Sequence, residues 1–171
     1  MERSALQALQ APLKERYRAE PQAAVITLRA DGRLGDEKVS CSVETGRALV
    51  EASLHQATGG PGTLACSGDM LLQALVACAG VTLRAVATSL EIPVRGGTVR
   101  AEGDLDFRGT LGVSKEAPVG FSDIRLRFEL NTDATSEQLD TLLRLTERYC
   151  VVHQTLVGSP GVAMSFGAAG A

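Results

Sequence analysis

The stretch SGDMLLQALVACAGVTLRAVATSLEIP, Ser67 to Pro93, decides the fold. It is a long run at helical spacing, charged only at Asp69, Arg84 and Glu91, with a thiol, Cys78, near its middle. Ser67 offers a hydroxyl to the free N–H groups of a first turn, and Asp69 there suits the positive end of the helix dipole. Ile92-Pro93 ends the run. Counting from Ser67 to Leu90 gives 24 residues, or ~36 Å at 1.5 Å per residue. A helix apolar on nearly every face must be surrounded by protein. With 171 residues, the chain fits one domain or one intertwined subunit. One subunit of this size has little material with which to enclose such a helix, so the pattern predicts a dimer.

The flanking sequence supplies the rest of an α+β domain. Residues 3–19 predict a helix with Leu6, Leu9, Leu13 and Tyr17 on one stripe, closed by Pro21. Three short alternating runs follow, Val25 to Leu28, Lys38 to Val43 and Ala48 to Leu54, with Asp31-Gly32 and Thr45-Gly46 as turn chemistry, which predicts an antiparallel meander. A Gly- and Thr-rich loop over 55–66 leads into the central helix. Beyond it, Val99, Ala101, Leu105 and Phe107 alternate with Arg100, Glu102, Asp104 and Asp106. Ile124, Leu126, Phe128 and Leu130 then alternate with Arg125, Arg127 and Glu129. These are two half-exposed strands, and pairing them antiparallel lets the acidic row of one meet the Arg row of the other. Thr135 and Gln138 form a capping box for a helix that runs out at Cys150, and Gly161 to Phe166 predicts a last strand. The division is therefore an N-terminal helix over 1–20, meander and loop over 21–66, central helix over 67–92, and strands, helix and final strand over 93–171.

Composition narrows the function. Hydrophobic residues make up 44% and aromatics 4%, so the core must be built from Leu, Val and Ala. A net charge of -3 leaves no basic footprint for nucleic acid or an anionic membrane. The N-terminus carries charges throughout and lacks the order of a signal peptide. Gln73, Thr82 and Arg84 interrupt the longest apolar stretch before it reaches the ~18 residues of a membrane span. A cytoplasmic protein with neither partner is expected.

Of the cysteines Cys41, Cys66, Cys78 and Cys150, none forms a CxxC pair. A reducing compartment argues against structural disulfides and leaves burial, metal binding or redox chemistry. Cys41, between Val39 and Val43 on a strand's inner face, reads as a small core hydrophobe. Cys78 is different, being surrounded by Ala74, Ala77, Ala79 and Gly80, which leave room for another element or a substrate. Cys150 stands where a new helical turn can start, and the free N–H groups of such a turn stabilise a thiolate. His153, three residues on, either lowers the Cys150 pKa or only hydrogen-bonds. No short His/Cys spacing suits zinc, and TGGPGT lacks the Lys of a phosphate loop. Neither metal nor cofactor is expected.

Two blocks, TGGPGTLACSGDMLLQALVAC and TERYCVVHQTL, with EGDLDFRG and FSDIRLRFEL between them, resemble the OsmC/Ohr family of osmotically induced and organic-hydroperoxide-resistance proteins. The likeness runs from about Ala48 to the end. It implies an OsmC-like intertwined homodimer with antiparallel sheets wrapped around the central helix. It also implies a thiol peroxidase in oxidative-stress defence, acting on organic hydroperoxides with an external dithiol as reductant. Cys78 would be the peroxidatic thiol and Cys150 the resolving one. Family reductases add an Arg from the N-terminal hairpin and a Glu near the start of the central helix. Here Gly68 stands at the Glu position with Asp69 beside it, and among Arg29, Arg33 and Arg47 the DGRLG around Arg33 is preferred. Val151 replaces the Pro that usually follows the second cysteine. An OsmC-like redox sensor or small apolar-ligand binder without peroxidase turnover is the alternative.

Overall fold

Alternation of apolar and charged residues builds an antiparallel sheet of four strands among the described residues. The computed structural model describes residues 3–34, 41–43, 54–60, 62–63 and 65–165. Strands β1 (Val25–Leu34), β2 (Cys41–Val43), β3 (Gly96–Asp106) and β4 (Phe121–Asn131) lie in the order β2-β1-β3-β4. All three pairings are antiparallel. Val99 and Ala101 are buried on the inner face, and Ile124, Leu126, Phe128 and Leu130 pack against the same core. The outer face carries the charges. Register places Glu102 opposite Arg125 but Arg100 opposite Arg127, so the acidic and Arg rows match only in part. Arg125 bonds Asp104 at 2.6 Å and Asp123 at 2.7 Å. Hydrogen bonds from Arg125 and then Thr27 hold the Asp104 carboxyl down at about 2. Exposed pairs of this kind add little stability. A bulge between Asp104 and Leu105 skips Ser122 in the register, which shifts the phase of β4 so that Phe121 faces the core.

The central helix α2 spans Ser67–Ser89. Its N-cap is Cys66, which makes no side-chain capping bond, so Ser67 is not the cap that its hydroxyl predicts. The chain enters the helix one residue earlier and turns Ser67 into the first helical residue. Leu72, Leu75, Val76, Ala79, Leu83 and Ala87 are buried toward the sheet, while Met70, Leu71 and Val81 remain 37–39% exposed. One chain therefore encloses only part of the helix. Length and hydropathy alone would let α2 cross a bilayer, but here it packs on the sheet and on the helices that follow. Buried Arg84 on α2 donates to the Val94 carbonyl, pinning the chain as it leaves through Ile92 and Pro93.

Helix α1 (Arg3–Ala19) closes a second, smaller core of Tyr17, Ala24, Ala57, Phe107 and Leu111. The Tyr17 hydroxyl donates to the Ala57 carbonyl at 2.7 Å, in a buried setting. Tyr17→Phe leaves that carbonyl unsatisfied, and a loss of about 1–2 kcal/mol is expected in a urea melt. A stability equal to wild type would show that the bond contributes nothing.

Three expectations are corrected. Asp31-Gly32 is no turn: β1 runs through it, with Asp31 opposite Arg100 and Gly32 opposite Val99, because the ladder to β3 outweighs local turn preference. Strand β3 stops at Asp106, whose carboxylate accepts the Arg108 N–H at 3.0 Å and caps the four-residue helix α3 (Phe107–Thr110). Phe107 thus leaves the strand face for the second core. Residues 161–165 form no strand and are exposed, since the chain leaves the preceding helix through left-handed Ser159 and then Pro160 and pairs with none of the described strands. The Thr45-Gly46 turn and all but the end of the Ala48 to Leu54 run lie outside the described residues.

Candidate active site

Local helix signals bring Cys78 and Cys150 together. Helix α4 (Ser136–Tyr149) starts on the expected capping box, with the Gln138 N–H donating to Thr135 Oγ1 at 3.3 Å and the Thr135 N–H to Gln138 Oε1 at 2.9 Å. The Cys150 N–H still bonds the Thr146 carbonyl at 2.9 Å. Its own backbone is then extended, at φ -72° and ψ 107°, so α4 ends. Helix α5 (Val151–Gly158) begins at once with Cys150 as its N-cap, the sulfur accepting the His153 N–H at 3.5 Å. One non-helical residue therefore aims the free N–H groups of a new first turn at α2.

Cys78 receives them. Burial pushes its thiol up. The Val152 N–H, the Cys150 thiol, the Val151 N–H and the Thr82 hydroxyl, all donating to its sulfur, outweigh that and bring it below the ordinary value. Thr82 is one helical turn beyond Cys78, so α2 itself presents both groups on one face. Cys150, 1% exposed, moves the other way. Burial raises it, the His153 and Val152 N–H groups oppose, and the hydrogen bond to Cys78 with the charge there raises it further. Of the pair, Cys78 is therefore the thiol that ionises first, and Cys150 the one that donates to it. The α5 N-terminus was expected to favour a Cys150 thiolate, but burial of Cys150, and after it the thiol's own donation to Cys78, work against that.

The other expected site residues are placed elsewhere. Asp69 sits in the first turn of α2, nine residues before Cys78, or about 13 Å along the axis. Burial raises its carboxyl and His55 is the opposing charge. Arg33 lies on β1 opposite Thr98 and Ser42, but its side chain is outside the described residues, as is all of Arg47. Among the described residues, the groups that lower Cys78 are N–H, S–H and O–H donors and include no cation. Cys66 is the N-cap of α2, and His55 stacks on Phe107 with ring centroids 5.0 Å apart. No three His, Cys, Asp or Glu among the described residues come together as a metal site. Sequence reasoning missed Thr82, although its spacing from Cys78 was the available signal. It also missed a cavity of about 430 Å³ behind Cys150, lined by Leu75, Phe121, Ile124, Leu156 and His153 among others.

Val152 stands in the first turn of α5, where a missing N–H costs the helix least. Val152→Pro removes the strongest of the donors to Cys78. Its alkylation by iodoacetamide at neutral pH is expected to slow about tenfold, the weight of one hydrogen bond to a charged group, and its rate profile to move to higher pH. An unchanged profile would show that the α5 N-terminus does not set the Cys78 thiolate.

The fold is shared with solved structures. An OsmC-like protein from Mycoplasma pneumoniae superposes with a TM-score of 0.54 at 16% identity, over 78% of this chain and 86% of that one. An OsmC-like hydroperoxide resistance protein from Jannaschia sp. CCS1 gives 0.53 at 17% identity, over 82% and 91%. At such identities the likeness is one of fold, a mixed α+β architecture with an antiparallel sheet. No curated protein sequence matches significantly. The sequence model of the OsmC-like protein family matches residues 60–165, more than half of the chain and the whole segment that carries both thiols, and the chain therefore belongs to that family.

Proposed function

We propose that this chain is a thiol-dependent peroxidase that reduces organic hydroperoxides, Cys78 reacting first and Cys150 resolving, in an intertwined homodimer. One observation carries the reading: Cys78 and Cys150 pack in the same core cluster, and the α5 N–H groups together with the Cys150 thiol lower the Cys78 thiol. The Cys78 thiolate attacks the outer peroxide oxygen, the O–O bond breaks, and the alkoxide leaves as alcohol after taking a proton. Cys78 is then a sulfenic acid and no longer charged. That removes a cause of the raised Cys150 pKa, so Cys150 loses its proton more readily, attacks the Cys78 sulfur and expels water. An external dithiol reduces the resulting disulfide. The small and apolar residues around Cys78, with Ala74 and Val81 exposed, suit an alkyl substituent over hydrogen peroxide. The printed name of the Jannaschia protein, a hydroperoxide resistance protein, points the same way.

The exposed apolar residues Met70, Leu71 and Val81 of α2, together with exposed Tyr149 and Val151 at the junction of α4 and α5, support a second copy as their cover. Asp69 is too far along its own α2, so a part for it in the reaction requires that second copy. Arg33 stays the candidate cation. The test is steady-state consumption of cumene hydroperoxide with dithiothreitol. Wild type should turn over and Cys78→Ser should fall to the uncatalysed rate, whereas equal rates would end the peroxidase reading. Sedimentation should give a dimer.

A further inference from the structure

Two partly buried polar groups share one side of α2: the Cys78 thiol and, one turn further on, the Thr82 hydroxyl. A threonine inside a helix can spend its hydroxyl on the carbonyl four residues back. Thr88 and Thr146 do so, at 2.8 Å to Arg84 and 2.7 Å to Leu142. Among the bonds of the described residues, Thr82 makes none to the Cys78 carbonyl, and its hydroxyl is turned to the Cys78 sulfur instead. The other donors around that sulfur are less free. The Val151 and Val152 N–H groups belong to the α5 backbone, and Cys150 is 1% exposed. Ala74, one turn before Cys78, and Val81, beside Thr82, are exposed, so a molecule that reaches the sulfur over α2 also comes close to the Thr82 hydroxyl.

We propose that the Thr82 hydroxyl binds the hydroperoxide, donating to its alkyl-bearing oxygen as the O–O bond breaks. The proposal rests on the thiol-peroxidase reading above. Attack by the Cys78 thiolate forms the S–O bond to the terminal oxygen and breaks the O–O bond, whose electron pair leaves on the alkyl-bearing oxygen. Negative charge therefore moves from sulfur to that oxygen. A donor already in place there is worth more in the transition state than in the bound substrate. A hydroxyl one hydrogen bond away from the sulfur is within reach of a peroxide seated on it, and it turns about its own C–O bond without moving the backbone. Thr82 thus follows the charge from sulfur to oxygen and keeps its proton throughout. The alkoxide takes a proton from water and leaves as alcohol. Among the described residues no cation stands in the donor set around Cys78, which leaves this hydroxyl as the exposed side-chain donor placed for that charge.

The experiment separates thiol acidity from the handling of the peroxide. Reduced wild type, Thr82→Val, Thr82→Ala and Thr82→Ser are each reacted with iodoacetamide and, in a single turnover, with cumene hydroperoxide across a range of pH. Samples are quenched in acid and Cys78 is followed by peptide mass spectrometry. On the alkaline plateau, where Cys78 is fully ionised in every variant, iodoacetamide should alkylate it at the wild-type rate. Cumene hydroperoxide should there oxidise Thr82→Val and Thr82→Ala about tenfold or more slowly than wild type, the weight of one hydrogen bond to a charged group. Thr82→Ser, which keeps the hydroxyl, should recover most of the wild-type rate. A peroxide rate unchanged in Thr82→Val, a loss shared equally by both reagents, or Thr82→Ser as slow as Thr82→Val would overturn the proposal and leave the peroxidase reading standing. Wild-type Cys78 oxidised no faster than the same cysteine in urea-unfolded protein would overturn both.

Discussion

Cys150→Ser is expected to stop the protein after a single turnover. The serine hydroxyl keeps a donor beside Cys78, and the Val151 and Val152 N–H groups belong to the backbone, so Cys78 remains acidic and consumes one equivalent of hydroperoxide. The resolving thiol is then gone from beside the sulfenic acid, which persists and is trapped by dimedone or oxidised further to the sulfinic acid. Turnover with dithiothreitol should fall by about a hundredfold or more, because a thiol held in place is replaced by one from solution. Mass spectrometry identifies the trapped residue, and the dimedone adduct is expected on Cys78. Sustained turnover in this variant would contradict the resolving role. Cys150→Ala should behave worse, since it also removes the S–H donor and raises the Cys78 thiol.

The second large effect concerns the scaffold. Leu72 is fully buried in the main core, one of the α2 residues that face the sheet. Leu72→Ala is expected to cost about 2–5 kcal/mol through lost burial and the cavity left behind. At fixed protein concentration that lowers the melting temperature by about 10 °C for a chain of this length, measured by circular dichroism under reducing conditions. A change smaller than the roughly 1 kcal/mol of an ordinary surface substitution would mean that the α2–sheet contact is not the centre of the fold.

Much of the architecture was legible because the signals are local. The period-2 alternation of β3 and β4 survives in the sheet because each strand has one face in the core and one in solvent, as Val99 and Arg100 show. The capping box of Thr135 and Gln138 is a matter of four consecutive residues, and it formed as read. What failed was decided by distant partners. Asp31-Gly32 carries turn chemistry, yet pairing with Arg100 and Val99 makes it strand. The apolar alternation over 161–165 pairs with none of the described strands, so pattern alone does not make it a strand. At the candidate site, the identity of both cysteines was visible, as was the helical restart at Cys150. Which sulfur the α5 N–H groups favour was not, because that depends on where α2 passes, more than 70 residues earlier in the chain.

The account rests on the order of the two acidities, and an ultraviolet titration of thiolate absorbance in the reduced protein tests it most directly, with Cys78→Ser and Cys150→Ser alongside. A thiol lowered by hydrogen bonds ionises as pH rises through a point below the ordinary thiol range, and its partner follows above that range. The low step should vanish in Cys78→Ser and persist in Cys150→Ser. A low step that vanishes with Cys150 instead, or a wild-type protein whose thiols all ionise together in the ordinary range, would contradict the assignment of Cys78 as the reacting thiolate.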